Sequence, residues 1–135
     1  MNTRTILLID DDADDRELFM DAVSEIQDDL LCITAEDGEE ALNLLMNPET
    51  LLPDIVFIDL NMPRYNGIRC IQEIKKIPRL LDLPIVIYTT TASIQQQDEI
   101  RKLGVSHFLT KPMMFKDICE LIKSIMVEVD SGAFR

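Results

Sequence analysis

A chain of 135 residues, 47% of them hydrophobic, is long enough for one folded domain with a proper core and too short for two. No apolar run approaches the length of a membrane span, and the only N-terminal one, Ile6 to Ile9, runs straight into acids; neither a membrane segment nor a signal peptide is expected, which points to the cytoplasm. A net charge of -12, from 25 acids against 13 lysines and arginines, makes the chain a poor partner for nucleic-acid phosphates.

The acidity is uneven. Residues 1–67 hold 17 acids and three bases, whereas residues 68–135 hold 8 acids and 10 bases. In chain order, Thr5 to Ile9 reads as a strand and is followed by Asp10, Asp11, Asp12, Ala13, Asp14 and Asp15. The last two acids suit the first turn of a helix, where the dipole favours negative charge. Leu18, Phe19, Ala22, Val23 and Ile26 then recur at helical spacing to about residue 27. Leu30 to Ala35 is a second strand. Asp37-Gly38 opens a helix carrying Ala41, Leu42, Leu45 and Met46, stopped at Asn47-Pro48, and residues 49–53 form a loop.

Ile55 to Ile58 is an unbroken apolar run, as expected of a central parallel strand buried on both faces. It ends in Asp59, then Leu60, Asn61, Met62 and Pro63. After the Asn66-Gly67 turn, Ile68, Ile71, Ile74, Lys75 and Ile77 mark a third helix closed before Pro78. Pro84 introduces the strand Ile85 to Tyr88, followed by Thr89, Thr90 and Thr91. Ser93 to Leu103 is a polar helix ended by Gly104. Ser106 to Leu109 is the fifth strand, then Thr110-Lys111-Pro112, and Ile118, Leu121, Ile122, Ile125, Met126 and Val129 mark the last helix. Five strands alternating with five helices imply a doubly wound α/β domain with a parallel sheet. Only the tail from Asp130 looks loose.

Cys32, Cys70 and Cys119 are odd in number and lack metal spacing, so they read as free thiols in a reducing compartment. His107 is the only histidine, which excludes chemistry needing two imidazoles. What remains is the set of residues just past the strands: Asp10 to Asp12, Asp59, Thr89 and Lys111. With the first and third strands adjacent, the carboxylates face one another at the switch point of the sheet. Two like charges about 4 Å apart repel by roughly 4 kcal/mol at an effective dielectric near 20, so the cluster needs a counterion. Oxygen-only ligands favour a hard divalent cation, Mg2+ before Mn2+. A carboxylate nucleophile, a metal, a lysine and a hydroxyl are the parts of a phosphoryl-transfer site.

In the motifs Leu-Leu-Ile-Asp10-Asp11-Asp12, Ile-Asp59-Leu-Asn61-Met-Pro63, Tyr-Thr89-Thr90 and Phe108-Leu-Thr-Lys111-Pro112, residues 4 to about 127 resemble the receiver domains of two-component response regulators. The resemblance implies a flavodoxin-like, CheY-like (βα)5 fold with strand order 2-1-3-4-5, a receiver domain over residues 1–129 and a tail over residues 130–135. It implies that Asp59 accepts a phosphoryl group from the phosphohistidine of a sensor histidine kinase or phosphotransfer protein. Asp11 would hold Mg2+ directly and Asp10 through water, with Asp59 and the backbone carbonyl of Asn61 completing the set. Thr89 and Lys111 would assist at the acceptor, Thr89 and Phe108 would form the switch, and Asn61 and Thr91 would tune the phosphoryl lifetime. A cis bond before Pro112 is a further family expectation.

The family resemblance leaves the chain catalysing only its own phosphoryl transfer and autodephosphorylation. The chain ends soon after its last helix, so no output domain is expected; output would run through a protein partner or a homodimer, on the face of the fourth helix, fifth strand and last helix. Ala13 to Arg16 resembles the first-helix start of receivers paired with phytochrome-type or hybrid kinases. Other readings fit less well. A flavin phosphate would be repelled by the acids after the first strand. A haloacid-dehalogenase phosphatase needs an acid where Asn61 stands, and an EF-hand needs a glycine where Asp15 stands. The alternative that remains is a receiver-like interaction module that works without phosphorylation.

Overall fold

A computed structural model describes residues 3–26, 29–105 and 107–134. The strands are β1 (Arg4–Ile9), β2 (Leu30–Ala35), β3 (Ile55–Ile58), β4 (Ile85–Thr89) and β5 (Phe108–Thr110). Between and after them run α1 (Ala13–Ile26), α2 (Gly38–Met46), α3 (Gly67–Lys75), α4 (Ile94–Lys102) and α5 (Phe115–Ser131). All strand pairs are parallel, in the order β2-β1-β3-β4-β5. This is the expected five-stranded, doubly wound sheet.

Its core follows from the period of two along each strand. Leu7 and Ile9 of β1, Val56 and Ile58 of β3 and Ile85 and Ile87 of β4 face one layer, where α2, α3 and α4 bring Leu45, Ile71, Ile74 and Ile100. Their neighbours Ile6, Leu8, Phe57 and Tyr88 face the other, against Phe19 of α1 and Ile122 of α5. There Phe19, Phe57 and Tyr88 meet edge to face, with ring centroids 5.1 to 5.8 Å apart, the geometry that aromatic quadrupoles favour. Every residue of β3 is buried, as its apolar run requires.

Local sequence sets the helix ends. Asp37, Asn66 and Ser93 cap α2, α3 and α4, and Ser93 forms a full capping box with Gln96. Asp12, read from sequence as one more member of the acidic run, accepts hydrogen bonds at Oδ1 from the N–H groups of Asp14 and Asp15 and so closes the start of α1.

Four expectations change. Helix α3 stops at Lys75, and Ile77 leads into a short 3-10 helix at Pro78–Leu80, because Pro78 cannot donate to a continuing α-helical ladder. Helix α5 continues through Asp130 and Ser131 to Gly132, whose left-handed φ of 80° forms the C-cap. Arg4 pairs with Asp130 and Phe134 lies over His107, so the segment expected to be loose is tied down at its start; Arg135 lies outside the described residues. The described peptide bonds are all trans, Lys111–Pro112 included, which is the form an X–Pro bond favours by about 0.5–1 kcal/mol. The fifth strand lies at Phe108–Thr110, one residue beyond the expected Leu109; Ser106 is outside the described residues. No described helix is long and apolar enough to cross a membrane.

Candidate functional site

Past β1, β3 and β5 the sheet's hydrogen bonding continues for one more residue. Asp10 N–H donates to Ala35 O at 3.1 Å, Asp59 N–H to Ile9 O at 3.0 Å, and Lys111 N–H to Thr89 O at 2.9 Å. Each of these three side chains is thus carried on a peptide already pinned to the neighbouring strand. Thr89 is the last residue of β4 itself.

The carboxylates of Asp10, Asp11 and Asp59 converge, with one oxygen from each lying within 4.8 Å of the others. Asp10 is fully buried, Asp59 is 7% exposed and Asp11 faces solvent. Lys111 Nζ sits among acids, 2.7 Å from Asp10 Oδ2, 2.8 Å from Asp15 Oδ2 and 3.1 Å from Asp59 Oδ2. On the other side of Asp59, Thr89 Oγ1 donates to Oδ1 at 2.7 Å and Asn61 N–H donates to the same oxygen at 3.3 Å. The Asn61 amide reaches the Thr89 hydroxyl at 3.3 Å and the Thr91 carbonyl at 3.1 Å.

Burial is the largest influence on Asp10 and raises its pKa, against lowering by Lys111 and by the Asp12 N–H. Burial alone would lower Lys111, but its close contacts with the Asp10 and Asp15 carboxylates outweigh it and hold the ammonium well above its ordinary value. The lysine is therefore charged, and it is shared among three acids. Its approach to Asp10 Oδ2 at 2.7 Å is an ion pair and not a directed hydrogen bond, so this buried oxygen keeps no directed donor among the described residues. A buried carboxylate oxygen so placed, beside two further carboxylates and no sulfur or imidazole, fits a hard divalent cation.

Two features hold the loop that follows Asp59. A Cβ added to Gly67 would lie 2.4 Å from Asp59 O and 2.9 Å from Leu60 Cα, both backbone atoms, so α3 reaches this close to Asp59 only with glycine at its first position. Tyr65 packs on Gly38 at the start of α2 and beneath the Arg69 guanidinium, 4.1 Å from its ring.

The expected residues Asp10, Asp11, Asp59, Asn61, Thr89, Thr91 and Lys111 are thus brought together. Phe108 is not in the cluster: it is half-buried against the core on the α4 side, with the Arg101 guanidinium 5.2 Å from its ring. The Thr89 hydroxyl is already turned toward Asp59. Two participants escaped the sequence. Asp15 was explained by its place in a first helical turn, and its contact with Lys111 spans 96 positions. Arg16 donates to the Asp10 carbonyl at 2.9 Å and pairs with Glu36 at 3.5 Å, bracing the acidic loop against the end of β2.

The response regulator receiver domain family matches residues 6–123, and the chain belongs to it. The probable transcriptional regulator ycf27 of Guillardia theta is 31% identical over 129 residues, covering 96% of this chain and 48% of that protein. The chain spans about half the length of the first curated relatives it matches. Among solved structures, the phosphorylated cyanobacterial phytochrome response regulator RcpA superposes with a TM-score of 0.84 at 26% identity, over 96% of this chain and 95% of that one. The Mn2+-bound response regulator Rcp1, a protein known from Synechocystis sp., gives 0.79 at 28% identity, over 90% and 91%.

Proposed function

We propose that this receiver takes a phosphoryl group onto Asp59 from the phosphohistidine of a sensor histidine kinase or phosphotransfer protein, in a Mg2+-dependent reaction. The observation that carries the reading is Asp59 itself: a nearly buried carboxylate with a charged lysine on one oxygen and a threonine hydroxyl on the other. An ionised Asp59 oxygen attacks phosphorus without needing a base. As the P–O bond forms, the P–N bond breaks and its electron pair passes to the imidazole nitrogen, which takes a proton from water. Lys111 and Thr89 then donate to phosphoryl oxygens in place of the carboxylate. Attack by water later returns inorganic phosphate and the free Asp59. Asn61 and Thr91, which meet beside Asp59 and Thr89, are assigned the tuning of the phosphoryl lifetime.

Asp11 and Asp59 would hold Mg2+ directly, Asp10 through water and Asn61 through its backbone carbonyl, with Mn2+ as the alternative ion; the metal would supply positive charge to the phosphoryl oxygens. Support comes from the oxygen-only donor set and from the Mn2+-bound Rcp1 relative.

Because the Thr89 hydroxyl already donates to Asp59, phosphorylation changes its acceptor instead of turning it inward, and the displacement passed to Phe108 is the difference between two hydrogen-bonded positions. One charge-assisted hydrogen bond contributes about 1.5–3 kcal/mol, enough to bias a partner or a second copy binding the α4-β5-α5 face. Three free thiols suit the cytoplasm.

The test is incubation with acetyl phosphate and Mg2+, read by intact mass. One base-labile phosphoryl adduct is expected, absent without metal and absent in Asp59→Asn. An unchanged mass in the wild type, or an adduct that persists in the variant, overturns the reading.

A further inference from the structure

An ammonium group has three N–H donors and no acceptor. In this protein Lys111 has three carboxylates around it, and they differ in what happens if the lysine leaves. Asp10 is fully buried and the Asp59 side chain is 9% exposed, whereas the Asp15 side chain is 36% exposed. Bulk water can take the place of Lys111 at Asp15 at small cost, whereas Asp10 exposes no surface through which bulk solvent could do the same. The Asp15 contact is also a directed hydrogen bond of 2.8 Å, shorter than the 3.1 Å bond to Asp59. The lysine is therefore drawn toward α1, and the arm it can most cheaply release is the one on that helix.

We propose that Asp15 is a positioning residue: its carboxylate holds the Lys111 ammonium on the α1 side of the site and competes for it with the anion that arrives on Asp59. The inference rests on the reading of Asp59 as acceptor and adds to it a residue that sets how readily the acceptor state forms. Since Asp15 itself touches neither the acceptor nor the metal cluster, its effect passes through the lysine alone. Removing its charge leaves an N–H of Lys111 free for the incoming anion, and lengthening its side chain by one methylene retains the competition.

Beryllofluoride with Mg2+ is the probe, titrated calorimetrically into wild type, Asp15→Asn, Asp15→Glu and Asp14→Asn. Asp14 lies on the same first turn, is exposed and makes no contact with Lys111, so its variant reports the loss of one negative charge from the general field. We expect Asp15→Asn to tighten beryllofluoride binding roughly two- to fivefold, the range of an ion pair with one partner partly open to solvent. Asp15→Glu should return to the wild-type value, and Asp14→Asn should show less than half the gain. Equal gains in Asp14→Asn and Asp15→Asn would reduce the effect to net charge and overturn the proposal, as would weaker or unchanged binding in Asp15→Asn. A wild type that takes up no beryllofluoride overturns the acceptor reading itself, an outcome separate from the others.

Discussion

Helices α5 and α4 both cover the sheet, yet α5 buries Ile118, Ile122, Ile125 and Met126 while α4 buries Ile100 alone. Beneath α1 and α5 lies the Phe19–Phe57–Tyr88 aromatic cluster; α4 depends on its own capping box and on one exposed pair, Asp98 with Arg101 at 3.5 Å. Of the two helices α5 is the more firmly held, and α4 can shift at less cost to the core beneath it. The half-buried Phe108 touches Arg101 of that lighter helix. On the proposed function, a signal from Asp59 would pass to the more lightly held helix.

The largest effect should separate the two sides directly. Phe57→Ala is expected to cost about 3–5 kcal/mol and Ile100→Ala about 2 kcal/mol, because α4, held to the core by that one buried side chain, can settle around its loss more easily than an aromatic cluster can. Urea unfolding measures both, and equal losses would break the comparison. Gly67→Ala should cost about 1–3 kcal/mol, since the added methyl meets the backbone of Asp59 and Leu60; it should also slow acetyl phosphate labelling, because the Asp59 peptide must shift.

Ser93→Ala removes the α4 cap, worth about 1 kcal/mol to that helix. The loss should appear as faster amide hydrogen exchange in α4, with little change in the urea midpoint; a midpoint that falls by the full amount would show that α4 opens only with the whole domain. The smallest effect at neutral pH concerns protons. Burial raises the Cys32 and Cys70 thiols from 9.0 to about 12 and the Tyr88 phenol from 10.0 to about 12. The folded chain then keeps protons that the unfolded chain gives up, so this contribution is fully present below about pH 9 and is lost as pH rises toward 12. Urea midpoints should be level between pH 7 and 8 and decline above pH 9.

Much of this was legible in the chain. The apolar run before Asp59 announced a doubly buried strand, and acids after the first strand, a threonine after the fourth and a lysine after the fifth could meet only at one edge of a parallel sheet. Asp15 was hidden because the helix dipole already accounted for an acid there, and its contact with Lys111 depends on how α1 packs. The 3-10 turn at Pro78–Leu80 carries no periodicity to read; proline marked a stop but not that Leu80 would be buried beyond it. The last turn of α5 was missed because apolar spacing ends at Val129, and what secures Asp130 is Arg4 at the opposite end of the sequence.

The hydrogen bonds that carry the sheet one residue past β1, β3 and β5 make chain length unequal in its consequences. Side chains alternate along a strand, so one residue inserted between Ile55 and Ile58 would send position 59 to the opposite face and separate it from Lys111 and Thr89. One residue inserted in the loop at 48–52, where Leu51 is almost fully exposed, would leave every one of those distances alone. Insertions and deletions of a single residue should therefore be silent in that loop and abolish labelling in β3, although the two places are only a few residues apart.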